Sequence, residues 1–153
     1  IPLAVLSKWN SIFCKDNEMY IVENPSVFAG LCARSDESVS CMCMNGQPRL
    51  AGLVTLDLLA ASGTVVYYAG DLDPEGLLIA QKISKYYAGE FHYWHMALED
   101  YEKSKSNETI SEKRIKSLER ITDVELFPVI EKMRIDRLAG YQEKIEYENC
   151  CQN

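Results

Sequence analysis

At 153 residues, 47% of them apolar and 25% charged, the chain has the composition of one soluble globular domain long enough to close a core. No window approaches ~18 uninterrupted apolar residues, which excludes a helical membrane span. A net charge of −7 and a pI near 4.9 argue against a sequence-independent basic grip on nucleic acid, but clustered carboxylates that hold Mg²⁺ also make a site acidic. The chain opens on Ile1 with no secretory leader, so we expect a cytoplasmic domain cut from a longer protein.

Residues 18–23, EMYIVE, predict a strand, and NPSVFAGLCA after them a helix with Asn24 as cap and Pro25 in its first turn. Residues 38–44, SVSCMCM, predict a second strand ending at NGQP. Residues 48–62 have apolar positions at helical spacing and stop at Gly63. TVVYYA (64–69) is the best strand in the chain, PEGLLIAQKISKYYAG (74–89) a helix closed by Gly89, and FHYWHM (91–96) a fourth strand. Strand and helix alternate with short loops, which predicts an α/β fold with a mostly parallel four-stranded sheet flanked by helices and covered on both faces. The charged stretch 97–121 reads as two helices broken at SKSNET, and 122–148 as one or two more. The whole is one domain, 1–153, with a core at about 18–96 and a helical C-terminal extension over 97–153. The six cysteines lack metal spacing, Cys150 and Cys151 being adjacent, and read as buried reduced thiols.

In open parallel sheets ligands bind at the carboxyl ends of the strands. Glu23 ends the first predicted strand, and Asp71 and Asp73 follow the third. If those strands are neighbours, the three acids face one crevice and supply hard oxygen ligands for one or two divalent cations. Asp73 before Pro74 reads equally as a helix cap, which does not exclude metal binding. A calcium loop fails on its own spacing: counted from Asp71, Gly76 falls correctly, but the twelfth position is Lys82 and Pro74 intrudes. An aspartate-nucleophile phosphatase would want Thr where Glu75 stands.

Three segments in order, IVENPSV (21–27), NGQPRLAGLVTLDLLAASG (45–63) and YYAGDLDPEGLLIA (67–80), resemble the Toprim catalytic domain. The likeness is to the Toprim-type C-terminal domain of JetD-like nuclease subunits of Wadjet plasmid-defence systems, a group similar to the A subunit of type VI topoisomerase. It covers residues 18–96 well and the tail loosely, through YWHMALEDY (93–101) and YQEKI (141–145). The resemblance implies a Rossmann-like Toprim fold and Mg²⁺- (or Mn²⁺-) dependent cleavage of DNA, in a bacterial setting. Glu23 then matches the family's acid/base or metal-shell glutamate, and Asp71 and Asp73 its metal-holding aspartates. The DNA would be gripped by the full-length protein, with defence-complex subunits as protein partners and no membrane. A nucleophilic tyrosine of the topoisomerase kind has no candidate among the nine tyrosines, so hydrolysis is expected over strand transfer. A domain kept for docking nucleic acid or protein, with little catalysis, is the competing reading.

Gly46 and Gln47 after the second strand are secondary candidates for the crevice, Gly46 being equally a turn residue. Glu143, beside Gln142, lies in the tail stretch that matches and is a candidate to approach the metal site. His92 and His95 bracket YW in the fourth strand on opposite faces. Lys82 and Lys85 read as a solvated helix face, and the charge run 99–120 as a wet helical surface.

Overall fold

A computed structural model describes residues 1–34 and 39–147. Ser38, which opens the expected second strand, and Cys150 and Cys151 lie outside the described residues. After a short helix α1 (Leu3–Leu6), the chain runs β1 (Glu18–Val22), α2 (Pro25–Arg34), β2 (Cys41–Cys43), α3 (Leu50–Ala61), β3 (Val65–Ala69), α4 (Pro74–Tyr86) and β4 (Phe91–Tyr93). The four strands form one sheet in the order β2-β1-β3-β4, parallel at every pairing. The fold is α/β and Rossmann-like, as the alternation of elements predicts.

Local chemistry explains most boundaries. Asn24 Oδ1 accepts from Ser26 N–H at 2.7 Å and starts α2 at Pro25. The α3 segment buries Leu56, Leu58 and Leu59 and gives out before Gly63, whose φ of +70° suits a residue without Cβ. Helix α4 ends three residues before the expected Gly89. Tyr87 turns extended, buries its ring and donates its hydroxyl to Thr64 O at 2.5 Å, so side-chain burial rather than glycine ends the helix.

The core joins Ile21 and Val22 of β1, Val66, Tyr68 and Ala69 of β3, Leu56 and Leu59 of α3, and Leu77 and Ile83 of α4, all fully buried. Cover on the two faces is unequal. Tyr20 and Tyr67 are half-buried and stack at 4.9 Å across the strands, Tyr67 stacks on His92 at 5.2 Å, and His92 is exposed.

The extension is less helical than expected. It holds α5 (Leu98–Ser104), β5 (Lys105–Thr109), α6 (Glu112–Ser117), α7 (Phe127–Asp136) and β6 (Leu138–Gly140). Strands β5 and β6 pair antiparallel, and β5 is the SKSNET region. Its polar, exposed residues show no alternation of their own, so only the distant partner makes it a strand. The thiols also depart from expectation: of the four described cysteines, Cys32 is exposed and the other three are half-buried. No helix among the described residues is long and apolar enough to cross a membrane.

Candidate metal centre

Strands β1 and β3 are neighbours in register, with Val22 beside Ala69. The residues after them therefore emerge at one edge of the sheet. Glu23 N–H donates to Ala69 O at 3.2 Å, and the Glu23 side chain leans over β3. Its Oε2 accepts a long bond from Asp71 N–H at 3.4 Å and lies 3.1 Å from where a Cβ on Gly70 would stand. Burial and then the charge of Asp71 push Glu23 up to about 7, Asp73 adding to the effect.

Asp71 and Asp73 project from a segment fixed by the residue between them. Leu72 is fully buried, and its backbone exchanges two 2.9 Å hydrogen bonds with Gly140. Asp71 Oδ1 accepts from Gln142 N–H at 2.9 Å, and burial raises its carboxyl above the usual range, with Asp73 and Glu143 adding to that. Asp73 caps α4 through Gly76 N–H at 2.7 Å. The turn leaves no room at Gly76, where a Cβ would meet Asp71 O at 2.2 Å. Gly76→Ala is therefore expected to cost about 2–3 kcal/mol, read as a lower thermal midpoint, because both aspartates must shift.

The extension closes the site. Gln142 is fully buried: its Oε1 accepts from Asn24 N–H at 3.0 Å and its Nε2 donates to Tyr147 Oη at 3.1 Å. Glu143 Oε1 accepts from Asn24 Nδ2 at 2.7 Å. Arg114, on α6, donates from Nη2 to Asp73 Oδ2 and to Glu75 Oε2, each at 2.6 Å, and from Nε to both Glu75 oxygens. Its Nη1 stands 3.6 Å from Glu108.

Residues 1–148 match a family described as protein of unknown function C-terminus, DUF2399. The chain belongs to the DUF2399 family. No curated protein and no solved structure matches it.

In this DUF2399 chain the expected residues divide by position. Glu23 Oε2 touches the Asp71 backbone N–H, the charges of Asp71 and Asp73 both act on Glu23, and Glu143 reaches the same edge through Asn24. Gly46 forms a turn with φ +82°, and the Gln47 amide oxygen accepts from Lys82 Nζ at 3.4 Å. Lys85 donates to Thr122. His92 pairs with Glu90; His95, past the end of β4, pairs with Asp100 and packs edge-on against Tyr147, whose hydroxyl accepts from Gln142. Among the described residues, no three His, Cys, Asp or Glu side chains are gathered closely enough to hold an ion as they stand.

Three DUF2399 residues escape sequence reading. Arg114 lies 41 positions from Asp73 in a charge run that looks like ordinary surface. Tyr68 reads as strand core, and Gly70 as turn. For Gly70 alone a sequence signal exists, a small residue between the apolar run and the first aspartate.

By ligand type alone the three acids suit a hard divalent cation, although they are not gathered around one position in this structure. All candidate ligands are carboxylate oxygens, and among the described residues neither Glu23 nor Asp71 pairs with a cationic side chain. Gly70 lies close against Glu23 Oε2 and the Tyr68 hydroxyl, and among the described residues that hydroxyl is buried without a hydrogen-bond partner.

Proposed function

We propose that this DUF2399 chain is a Toprim-type domain that cleaves DNA phosphodiester bonds with Mg²⁺ or Mn²⁺, as the nuclease part of a longer, JetD-like defence protein. The observation that carries the reading is the meeting of Glu23 with Asp71 at the carboxyl ends of the adjacent parallel strands β1 and β3, with Asp73 next along. The motif order E-N-P, then G-D-L-D-P-E-G, supports it, because the resemblance assigns the metal to the same three acids.

Glu23, Asp71 and Asp73 would hold the ion. When bound, it offsets charge that builds on the phosphoryl group. The chain's own contribution is positional. Gln142 N–H fixes one Asp71 oxygen, Leu72 anchors the loop to β6, and Asn24 with Gln142 holds the chain after Glu23. Glu23, half-buried against β3, is the carboxylate that would take a proton from a water beside it. The acidic surface requires that the DNA-gripping Lys and Arg come from elsewhere in the protein or its partners.

Asp71→Asn is the direct test. Asn keeps an acceptor for Gln142 N–H and removes only the charge. Plasmid nicking by the intact protein is expected to fall roughly 10²-fold or more, with Mn²⁺ binding weakened in parallel. Unchanged nicking would favour the second reading, a docking module, which the hold of Arg114 on Asp73 supports.

A further inference from the structure

Among the described residues, the Tyr68 hydroxyl is the only buried side-chain atom with no hydrogen-bond partner. A buried hydroxyl left in that condition costs roughly 1–3 kcal/mol, so its persistence calls for a ligand. The surroundings say where the ligand sits. A Cβ built on Gly70 would lie 3.3 Å from the Tyr68 hydroxyl and 3.1 Å from Glu23 Oε2. Both oxygens thus border the space that the missing side chain of Gly70 leaves, and they do not bond each other. A buried water needs two to four polar partners, and these two oxygens supply the minimum.

We propose that the Gly70 cradle is a hydration site in which the Tyr68 hydroxyl and Glu23 Oε2 hold one water, and that this water is the nucleophile of the cleavage reaction. Tyr68 donates to the water oxygen and Glu23 accepts from it, which leaves a lone pair free to point outward. In the reaction the water oxygen bonds to phosphorus as the ester P–O bond breaks. One water proton passes to Glu23, and the departing oxygen is protonated by solvent. Tyr68 is then a positioning residue, acting through the water. The inference rests on the carboxylate reading above and adds to it the direction from which water arrives.

Tyr68→Phe in the intact protein removes the hydroxyl and nothing else. The variant is expected to melt at or slightly below the wild-type temperature, because one water-mediated hydrogen bond is lost. Its kcat for plasmid nicking is expected to fall roughly tenfold to a hundredfold, while KM and Mn²⁺ affinity stay unchanged. Gly70→Ala fills the cradle from the other side, and the same split between kcat and KM is expected of it. A higher melting temperature for Tyr68→Phe, which would mean the hydroxyl is unsatisfied and holds no water, overturns the proposal. So does wild-type kcat in a variant that melts normally. A high-resolution crystal structure of the metal-free protein separates the two levels of the reading. A water within roughly 3 Å of both oxygens supports the site, and none there overturns it even if Mn²⁺ binds. That same water in a protein that neither takes up Mn²⁺ nor nicks DNA sinks the nuclease reading and, with it, the water's role as nucleophile.

Discussion

Glu23→Gln is expected to make the metal-free protein more stable at pH 8 while abolishing cleavage. Glu23 is raised from 4.5 to about 7 by burial, then by the charges of Asp71 and Asp73. Between those two pH values the folded protein keeps a proton on Glu23 that the unfolded chain has already released. Stability therefore falls as pH rises through 4.5 to 7, and the loss is complete above pH 7. The difference is worth ~3 kcal/mol at most, and partial exposure of the side chain to water trims it to ~1–2 kcal/mol. Asp71, also raised by burial, adds a loss of the same sign. Gln cannot ionise, and its amide oxygen still accepts from Asp71 N–H. Chemical denaturation in EDTA at pH 5 and pH 8 is the check. Wild type should be weaker at pH 8, and the Gln variant should show a shallower dependence on pH. Mn²⁺ reverses the sign, because binding needs the ionised carboxylate; its stabilisation of wild type should grow from pH 5 to pH 8. A Gln variant less stable than wild type at pH 8 without metal would mean that Glu23 is a structural ligand of the fold. The strand-end cluster would then lose its functional interpretation.

That such a strained acid can be found from the sequence at all follows from the parallel sheet. Apolar runs at 18–23 and 64–69, separated by helical patterns, imply adjacent parallel strands, and the residues just past them share an edge whatever the details. Glu23 and Asp71 are legible for that reason alone. Asp73 is legible twice, as cap and as candidate ligand, because Pro74 marks the helix start. What escapes is everything that depends on the extension. Lys105–Thr109 becomes a strand only by pairing with Leu138–Gly140, a partner about thirty residues away. Nothing in its polar residues encodes that pairing locally. Arg114 is hidden likewise: a cation in a mixed-charge helix looks solvated until the chain folds it onto Asp73 and Glu75. Tyr68 fails for a different reason. A tyrosine in a buried strand is normally bonded, and only the coordinates reveal a hydroxyl that is not.

Arg114→Gln is expected to raise Mn²⁺ affinity by roughly tenfold, the scale of removing one charge-assisted competitor from a carboxylate. The geometry sets up a direct competition. Asp73 has two oxygens, one spent on Gly76 N–H and the other on Arg114 at 2.6 Å, so a cation can gain Asp73 only by displacing the guanidinium or sharing its oxygen. Displacement is not ruinous for Arg114, because its Nε and Nη2 also bind Glu75 and can stay there. Without metal the variant leaves Asp73 and Glu75 unpaired, and the fold should lose about 1–2 kcal/mol. Affinity and stability therefore move in opposite directions, a pattern that general loosening of the site would not produce. Arg114→Lys keeps the charge but not the planar fork, and its Mn²⁺ affinity should fall between the two. Isothermal titration with Mn²⁺ reads the affinities, and thermal unfolding in EDTA reads the stabilities. Equal or weaker Mn²⁺ binding by the Gln variant would place the ion away from Asp73, on Glu23 and Asp71 alone, with Arg114 and Asp73 left as a structural pair that pins α6 to the start of α4.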